Sequence, residues 1–196
     1  MTALALLRHF PTDWNAARRL QGRVDRPLTD AARAALAGLR PPPPWDAARV
    51  IASPLRRAQD TAAALWSMFE TDQRLVELDF GAWEGAQAAA LLADPASGFT
   101  PMERWGWTRR PPGGGESPAD GWARVAPLLA EIAAEARPTV LVCHRGLMRA
   151  ILARAWGWDY DRPEPFAIKR GRLMAVTLGP DGAPRDPAPP VRLIPR

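Results

Sequence analysis

The sequence predicts an α/β protein, a three-layer α/β/α sandwich around a mostly parallel central sheet. Three observations carry this. Short apolar runs of strand length recur along the chain. Stretches with apolar residues at helical spacing separate them, as helices packed on a sheet require. The length, 196 residues, fits one domain of roughly 100–200 residues, and a chain of this size buries a core without disulfide or metal staples.

Each element has its own local reason. Ala3–Leu7 is a short apolar run, read as a buried strand that ends at Arg8, His9, Phe10 and Pro11. Thr29 is a helix N-cap, and Asp30–Leu39 carries Ala32, Ala35, Leu36 and Leu39 on one face. Pro41–Pro44 stops that helix. Arg49–Ala52 is a second strand, closed by Ser53 and Pro54. Leu55–Phe69 follows with Ala58, Thr61, Ala62, Leu65 and Phe69 at helical spacing, and Arg74–Leu78 reads as a short extended segment. Glu84–Ala93 is helical by composition and Pro111–Gly115 is a loop. Trp122, Val125, Leu128, Leu129 and Ile132 form a helical stripe. Thr139–Cys143 is the strongest strand signal, Leu147–Trp156 is helical, and Arg172–Leu178 alternates as a last strand. Residues 1–178 make one domain with no internal repeat. The Pro-rich tail 179–196 reads as extended or loosely attached.

Composition narrows the class. Apolar residues are 47% and charged residues 24%, which excludes a disordered chain. No run reaches the 18 or so apolar residues of a membrane span, and Ala3–Leu7 is too short for a signal-peptide core. The single cysteine, Cys143, forms no internal disulfide, so a cytoplasmic protein is expected. The net charge is +5, and 25 of the 26 basic residues are arginine, Lys169 being the single lysine. These arginines are scattered in singles and pairs without a reader motif, which argues against a nucleic-acid surface and for coding bias plus a local anion site.

In open α/β sheets ligands bind beyond the carboxyl ends of the strands. That rule selects Arg8-His9, Ser53 to Arg57, Glu77-Leu78-Asp79 and His144-Arg145. The chain has two histidines, and both fall at these places with arginine beside them. Arginine is the planar fork that recognises phosphate oxygens. Two histidines, the arginines Arg8 and Arg56, and a carboxylate at one edge describe a phosphoryl-transfer site that needs no metal and no cofactor. A metal site from His9, His144, Glu77 and Asp79 is disfavoured by the surrounding cations. Cys143 is a small buried hydrophobe rather than a partner of His144, since adjacent strand residues face opposite ways. Gly113–Gly115 lacks the GK[ST] of a P-loop. Trp14 and Trp83 lie near site segments and are candidates to line a pocket.

The ordered segments resemble those of the histidine phosphatase, or phosphoglycerate mutase-like, superfamily. Arg8-His9-Phe10-Pro11-Thr12-Asp13-Trp14-Asn15 is similar to RHGxTxxN, and Gln21-Gly22, Asp25 and Pro27-Leu28-Thr29 to QGxxDxPLT. Ser53 to Ala62 resembles SPLxRAxxTA, Glu77 to Gly85 resembles ELDFGxWEG, and Gly115-Glu116-Ser117 resembles a GES turn. Val142-Cys143-His144 resembles the strand that delivers a second histidine. The resemblance implies a phosphoglycerate mutase-like fold and a metal-independent phosphomonoesterase. In it His9 is the nucleophile, Arg8 and Arg56 clamp phosphate, His144 completes the clamp, and Glu77 is the general acid. Asn15, Thr12, Gln21, Gly22 and Arg145 are the further candidates for substrate or phosphate contact, and Glu84 is read as structural.

Three departures stand out. Phe10 and Ala32 replace glycines of the family pattern, and Phe10 is expected to narrow the pocket or re-angle its loop. Arg145 replaces the glycine or asparagine usual after the second histidine. It either binds a second anionic group or faces solvent. The acid segment is most similar to that of the α-ribazole phosphatases, so a phosphorylated small molecule such as α-ribazole phosphate is the expected substrate. A phosphoglycerate mutase and a non-catalytic phospholigand-binding protein are the alternatives. No nucleic-acid or membrane partner is expected, and a homodimer stays open.

Overall fold

The computed structural model describes residues 1–101 and 104–196. Its strands are β1 (Thr2–Arg8), β2 (Leu39–Arg40), β3 (Arg49–Ala52), β4 (Glu70–Thr71), β5 (Thr139–Cys143), β6 (Arg172–Leu178), β7 (Pro184–Arg185), β8 (Val191–Arg192) and β9 (Ile194–Pro195). The helices are α1 (Asp13–Ala16), α2 (Asp30–Ala37), α3 (Arg56–Leu65), α4 (Ala88–Ala93), α5 (Pro118–Glu135) and α6 (Arg145–Trp156). The main sheet runs β4-β3-β5-β1-β6-β7, with β8 also on β6. β1, β3, β4 and β5 are parallel, and β6, β7 and β8 add antiparallel pairs.

Strand alternation divides the core. Leu4, Leu6, Leu141 and Cys143 point to one face and pack with Val125, Leu129 and Ile132 of α5 and Leu147 and Ile151 of α6. Ala5, Leu7, Val140 and Val142 point to the other, against Leu36 of α2 and Ala58, Ala62 and Leu65 of α3. The three layers expected from the sequence follow from this division.

Several boundaries move, each for a local reason. Arg74–Leu78 is not a strand. Asp72 accepts the Arg74 backbone N–H at 2.7 Å and nucleates a 3-10 turn over Gln73–Leu75. The helix expected over Leu55–Phe69 ends at Leu65, and the Trp66 indole N–H donates to the Trp45 carbonyl at 2.9 Å. Glu84–Ala93 shortens to Ala88–Ala93, because Gly85 turns the chain at a φ of 77°. The tail is extended but not loose: β7 and β8 pair with β6, and β9 pairs with β2. Among the described residues no helix is long and apolar enough to cross a membrane.

Candidate functional site

β1 and β5 are parallel neighbours, with Arg8 opposite Cys143 in register. Their ends therefore bring His9 and His144 together, with ring centroids 5.2 Å apart. The His9 backbone N–H donates to the Cys143 carbonyl at 3.0 Å, which extends the pairing by one residue. A cavity of about 360 Å³ opens over this edge. Arg8, His9, Asn15, Gln21, Glu77 and Arg145 line it, all of them candidates from the sequence.

The two histidines are held differently. His9 Nδ1 lies 2.7 Å from the Phe10 carbonyl. A carbonyl only accepts, so Nδ1 carries the proton and Nε2 keeps its lone pair. His144 Nδ1 accepts from Arg57 Nε at 3.2 Å, and its Nε2 lies 2.7 Å from Ser53 Oγ. Both of its nitrogens are thus engaged, and its side chain is fully buried behind the cavity. Burial holds the His9 pKa well below its ordinary value, helped by Arg57 and Arg8. Burial and Arg57 do the same for His144. Both rings are neutral at pH 7.

Of the two arginines that open α3, the buried one is Arg57, not the expected Arg56. Arg56 is exposed, approaches Asp60 at 4.0 Å and is not among the residues that line the cavity. Arg57 is the buried neighbour: its Nη2 donates to the Gly22 carbonyl at 2.7 Å, its Nη1 to the Val24 carbonyl at 2.9 Å, and its Nε to His144. The helix phase explains this, because Arg57 shares the buried stripe of α3 with Ala58, Thr61 and Ala62. In the SPLxRA pattern the fixed arginine also falls on Arg57 and the variable position on Arg56. That register was the signal available in the sequence.

Glu77 caps α6. Its carboxylate accepts the backbone N–H of Gly146 at 2.9 Å and of Leu147 at 2.8 Å, and that of Leu78 at 2.9 Å. A Cβ on Gly146 would lie 2.6 Å from Glu77 Oε1, so glycine is required there. Glu84 does not line the cavity. It accepts from the backbone of Gly22, Arg23 and Val24, fixing the loop that gives its carbonyls to Arg57. Gly22 lies in that loop rather than on the cavity wall, and a Cβ there would lie 2.5 Å from Glu84 Oε2. Thr12 caps α1 and donates to Gln21 Oε1 at 2.7 Å, so it positions Asn15 and Gln21 from behind.

Phe10 does not narrow the cavity. Its side chain joins the core under α2 and α3, its N–H donates to Thr61 Oγ1 at 3.0 Å, and its φ is not in the left-handed region. Trp14 and Trp83 do not line the cavity either. Phe80, Phe99 and Trp105 supply its aromatic wall.

Arg170 was missed. Its Nε donates to the His9 carbonyl at 3.2 Å and its Nη2 to Asn15 Oδ1 at 2.8 Å. It precedes β6, which runs antiparallel to β1, so the start of β6 lies at the site edge. A rule that inspects only strand carboxyl ends passes over it. Arg149 and Tyr160 also line the cavity. Among the described residues, no three His, Cys, Asp or Glu side chains group so as to hold a metal ion.

Comparison with known proteins places the chain in a family. The chain is 36% identical over 171 residues to a glucosyl-3-phosphoglycerate phosphatase of Mycobacterium tuberculosis, covering 76% of this chain and 73% of that one. It is 31% identical over 189 residues to phosphoglycerate mutase-like protein 4 of Arabidopsis thaliana, covering 89% and 76%. The solved native structure of a mycobacterial glucosyl-3-phosphoglycerate phosphatase superposes with a TM-score of 0.73 at 30% identity, over 99% of this chain and 96% of that chain. The family model of the histidine phosphatase superfamily, branch 1, matches residues 4–184, and the chain belongs to that superfamily.

Proposed function

We propose that this protein is a phosphomonoesterase that hydrolyses a phosphorylated small molecule through a phosphohistidine on His9. The observation that carries the reading is the tautomer of His9. Its Nδ1 proton is committed to the Phe10 carbonyl at 2.7 Å, so the lone pair of Nε2 is the free nucleophilic position at a cavity lined by Arg8 and Arg170. Those guanidinium groups offset the charge of the transferring phosphoryl group. Nε2 forms the N–P bond as the ester P–O bond breaks. Glu77, on the same wall, gives a proton to the leaving oxygen. In the second half Glu77 takes a proton from water as the water oxygen attacks phosphorus and the N–P bond breaks. No step uses a metal. His144 and Arg57 act from behind, holding the floor of the site.

Within this class, the ELDFGxWEG-like segment supports α-ribazole phosphate, and the relatives named glucosyl-3-phosphoglycerate phosphatases support a phosphoglycerate derivative. The arginine-rich cavity wall favours the latter. A mutase is the second reading, favoured by the likeness to phosphoglycerate mutase-like protein 4.

Phosphate release from p-nitrophenyl phosphate, α-ribazole phosphate, 3-phosphoglycerate and glucosyl-3-phosphoglycerate, with EDTA present, tests the reading. Wild type is expected to release phosphate and to trap acid-labile label on His9, and His9→Ala to do neither. Release that EDTA abolishes, or that survives in His9→Ala, overturns it. Isomerisation of phosphoglycerate without release supports the mutase.

A further inference from the structure

We infer that Arg145, with Tyr160 and Arg170, forms a subsite for a second acidic group on the substrate, a carboxylate or a second phosphate beside the ester being hydrolysed. This rests on the phosphatase reading of the site. It assigns Arg145, a departure from the family pattern, as a residue that determines specificity.

The charge on the cavity wall is the first argument. Arg8, Arg18, Arg19, Arg145, Arg149 and Arg170 line the cavity, and among the described residues Glu77 is the single carboxylate that does. A phosphate monoester brings about two negative charges. Glu164 adds one carboxylate from behind, but it is already held by Arg149, whose Nε and Nη2 lie 3.1 and 2.6 Å from its Oε2. Arg145 reaches the same oxygen only at 3.5 Å, and its side chain stays 44% exposed. Cationic charge therefore remains after the reacting phosphate is bound.

The position of Arg145 is the second argument. It is the first residue of α6, the end where the helix dipole is positive and cations are disfavoured. Arg149 stands one turn further on, and Arg170 donates to the carbonyl of His9, the residue after Arg8. Burial, with Arg170 and then Arg145, pushes the Arg8 guanidinium down to about 9. Burial and Arg149 lower Arg145, and burial and Arg145 lower Arg170. Four like charges gathered at a helix start are unfavourable in the empty cavity, and an anion among them relieves the repulsion.

A side chain without a partner is the third argument. Tyr160 is 2% exposed and lines the same cavity, yet its hydroxyl has no hydrogen-bond partner among the described residues. A buried hydroxyl left unpaired is unfavourable, and a ligand oxygen would satisfy it. Stacking on Trp158, with centroids 3.9 Å apart, fixes the ring in place. Burial raises the Tyr160 pKa, so the hydroxyl is a donor at neutral pH. A donor and a guanidinium on one wall suit an acidic oxygen. Because Arg170 is tied to the His9 carbonyl, the second acid must lie within a few bonds of the ester.

Matched substrate pairs test the subsite. 3-Phosphoglycerate and glycerol 3-phosphate differ by a carboxylate against a hydroxymethyl group. A sugar bisphosphate and its monophosphate differ by the second phosphate. The readout is the ratio of kcat/KM within each pair for wild type, Arg145→Gln, Arg145→Lys and Tyr160→Phe. Wild type is expected to favour the doubly acidic member of one pair by about tenfold or more. That ratio falls toward one in Arg145→Gln through KM, is partly kept in Arg145→Lys, and drops several-fold in Tyr160→Phe. The pair that responds names the acid. Ratios near one in wild type, or unchanged in Arg145→Gln, overturn the subsite. Absence of turnover on every ester instead defeats the phosphatase reading. Calorimetric binding of the same pairs to wild type and Arg145→Gln then decides the subsite by the same ratio.

Discussion

The ends of β1 and β5 are neighbours in the sheet and each delivers a histidine beside an arginine, yet they do opposite work. At the β1 end, His9 keeps one nitrogen free at a cavity, and Arg8 Nε has no partner among the described residues. At the β5 end, His144 has both nitrogens engaged, and Arg57 spends donors on two carbonyls and a ring nitrogen. One end holds unspent hydrogen-bonding capacity for a ligand. At the other, the His144 ring and Arg57 of α3 have spent theirs on each other and on loop carbonyls, which makes them a rigid support, and only Arg145 beside them stays turned to the cavity. Equivalent sequence positions do not distinguish these cases. The count of unsatisfied donors and acceptors does.

The largest expected effect separates the ends by chemistry. His9→Ala removes the proposed attacking atom, and phosphate release should fall by about 10⁴-fold or more. A residual rate within tenfold of wild type would remove His9 from the chemistry and erase the contrast.

The second effect appears in stability. Arg57→Ala leaves the Gly22 and Val24 carbonyls and His144 Nδ1 without their donor. At about 1–3 kcal/mol for each unpaired buried group, urea unfolding should show a loss of about 3 kcal/mol or more. A loss under about 1 kcal/mol would mean that the support is not rigid.

The third effect acts on both ends at once. His9 and His144 are held well below 6.5 in the folded protein. The unfolded chain therefore takes up protons below about pH 6.5 that the folded chain refuses. Stability that is fully present above 6.5 is lost as pH falls, at about 1.4 kcal/mol per histidine per pH unit. Unfolding at pH 7 and pH 5 should differ by up to about 2 kcal/mol per histidine, and His144→Gln should remove its share. A flat profile across this range would show that the two rings are charged or solvated in the folded state.

Much of this was legible in the sequence because the signals are local. β3, β5 and β6 begin and end where periodicity puts them, and His9, Glu77 and His144 sit at the edge that the strand rule selects. The failures come from long-range partners. Asp72 turns Arg74 out of a strand by a side-chain bond that periodicity does not encode. Phe10 looks like an obstruction because it neighbours the nucleophile in sequence, whereas Leu28, Leu36 and Ala58 draw it into the core. Arg170 is 161 residues from His9, and it reaches the site only because β6 runs antiparallel.

The smallest expected effect is the sharpest test of that reading, because Arg56 and Arg57 are adjacent and chemically identical. They differ by one step of about 100° around α3. That step turns Arg57 into the core and Arg56 into solvent, where its side chain is 64% exposed and its guanidinium approaches Asp60 at 4.0 Å. An exposed pair at that distance contributes little. Arg56→Ala should change unfolding stability by no more than about 0.5 kcal/mol, and phosphate release by less than about twofold. The Arg56 backbone N–H still donates to Asp25 at 2.8 Å, since the substitution leaves that bond intact. A large loss of activity in Arg56→Ala with stability unchanged would return the clamp to Arg56, and would require α3 to rotate its neighbour out of the core when substrate binds.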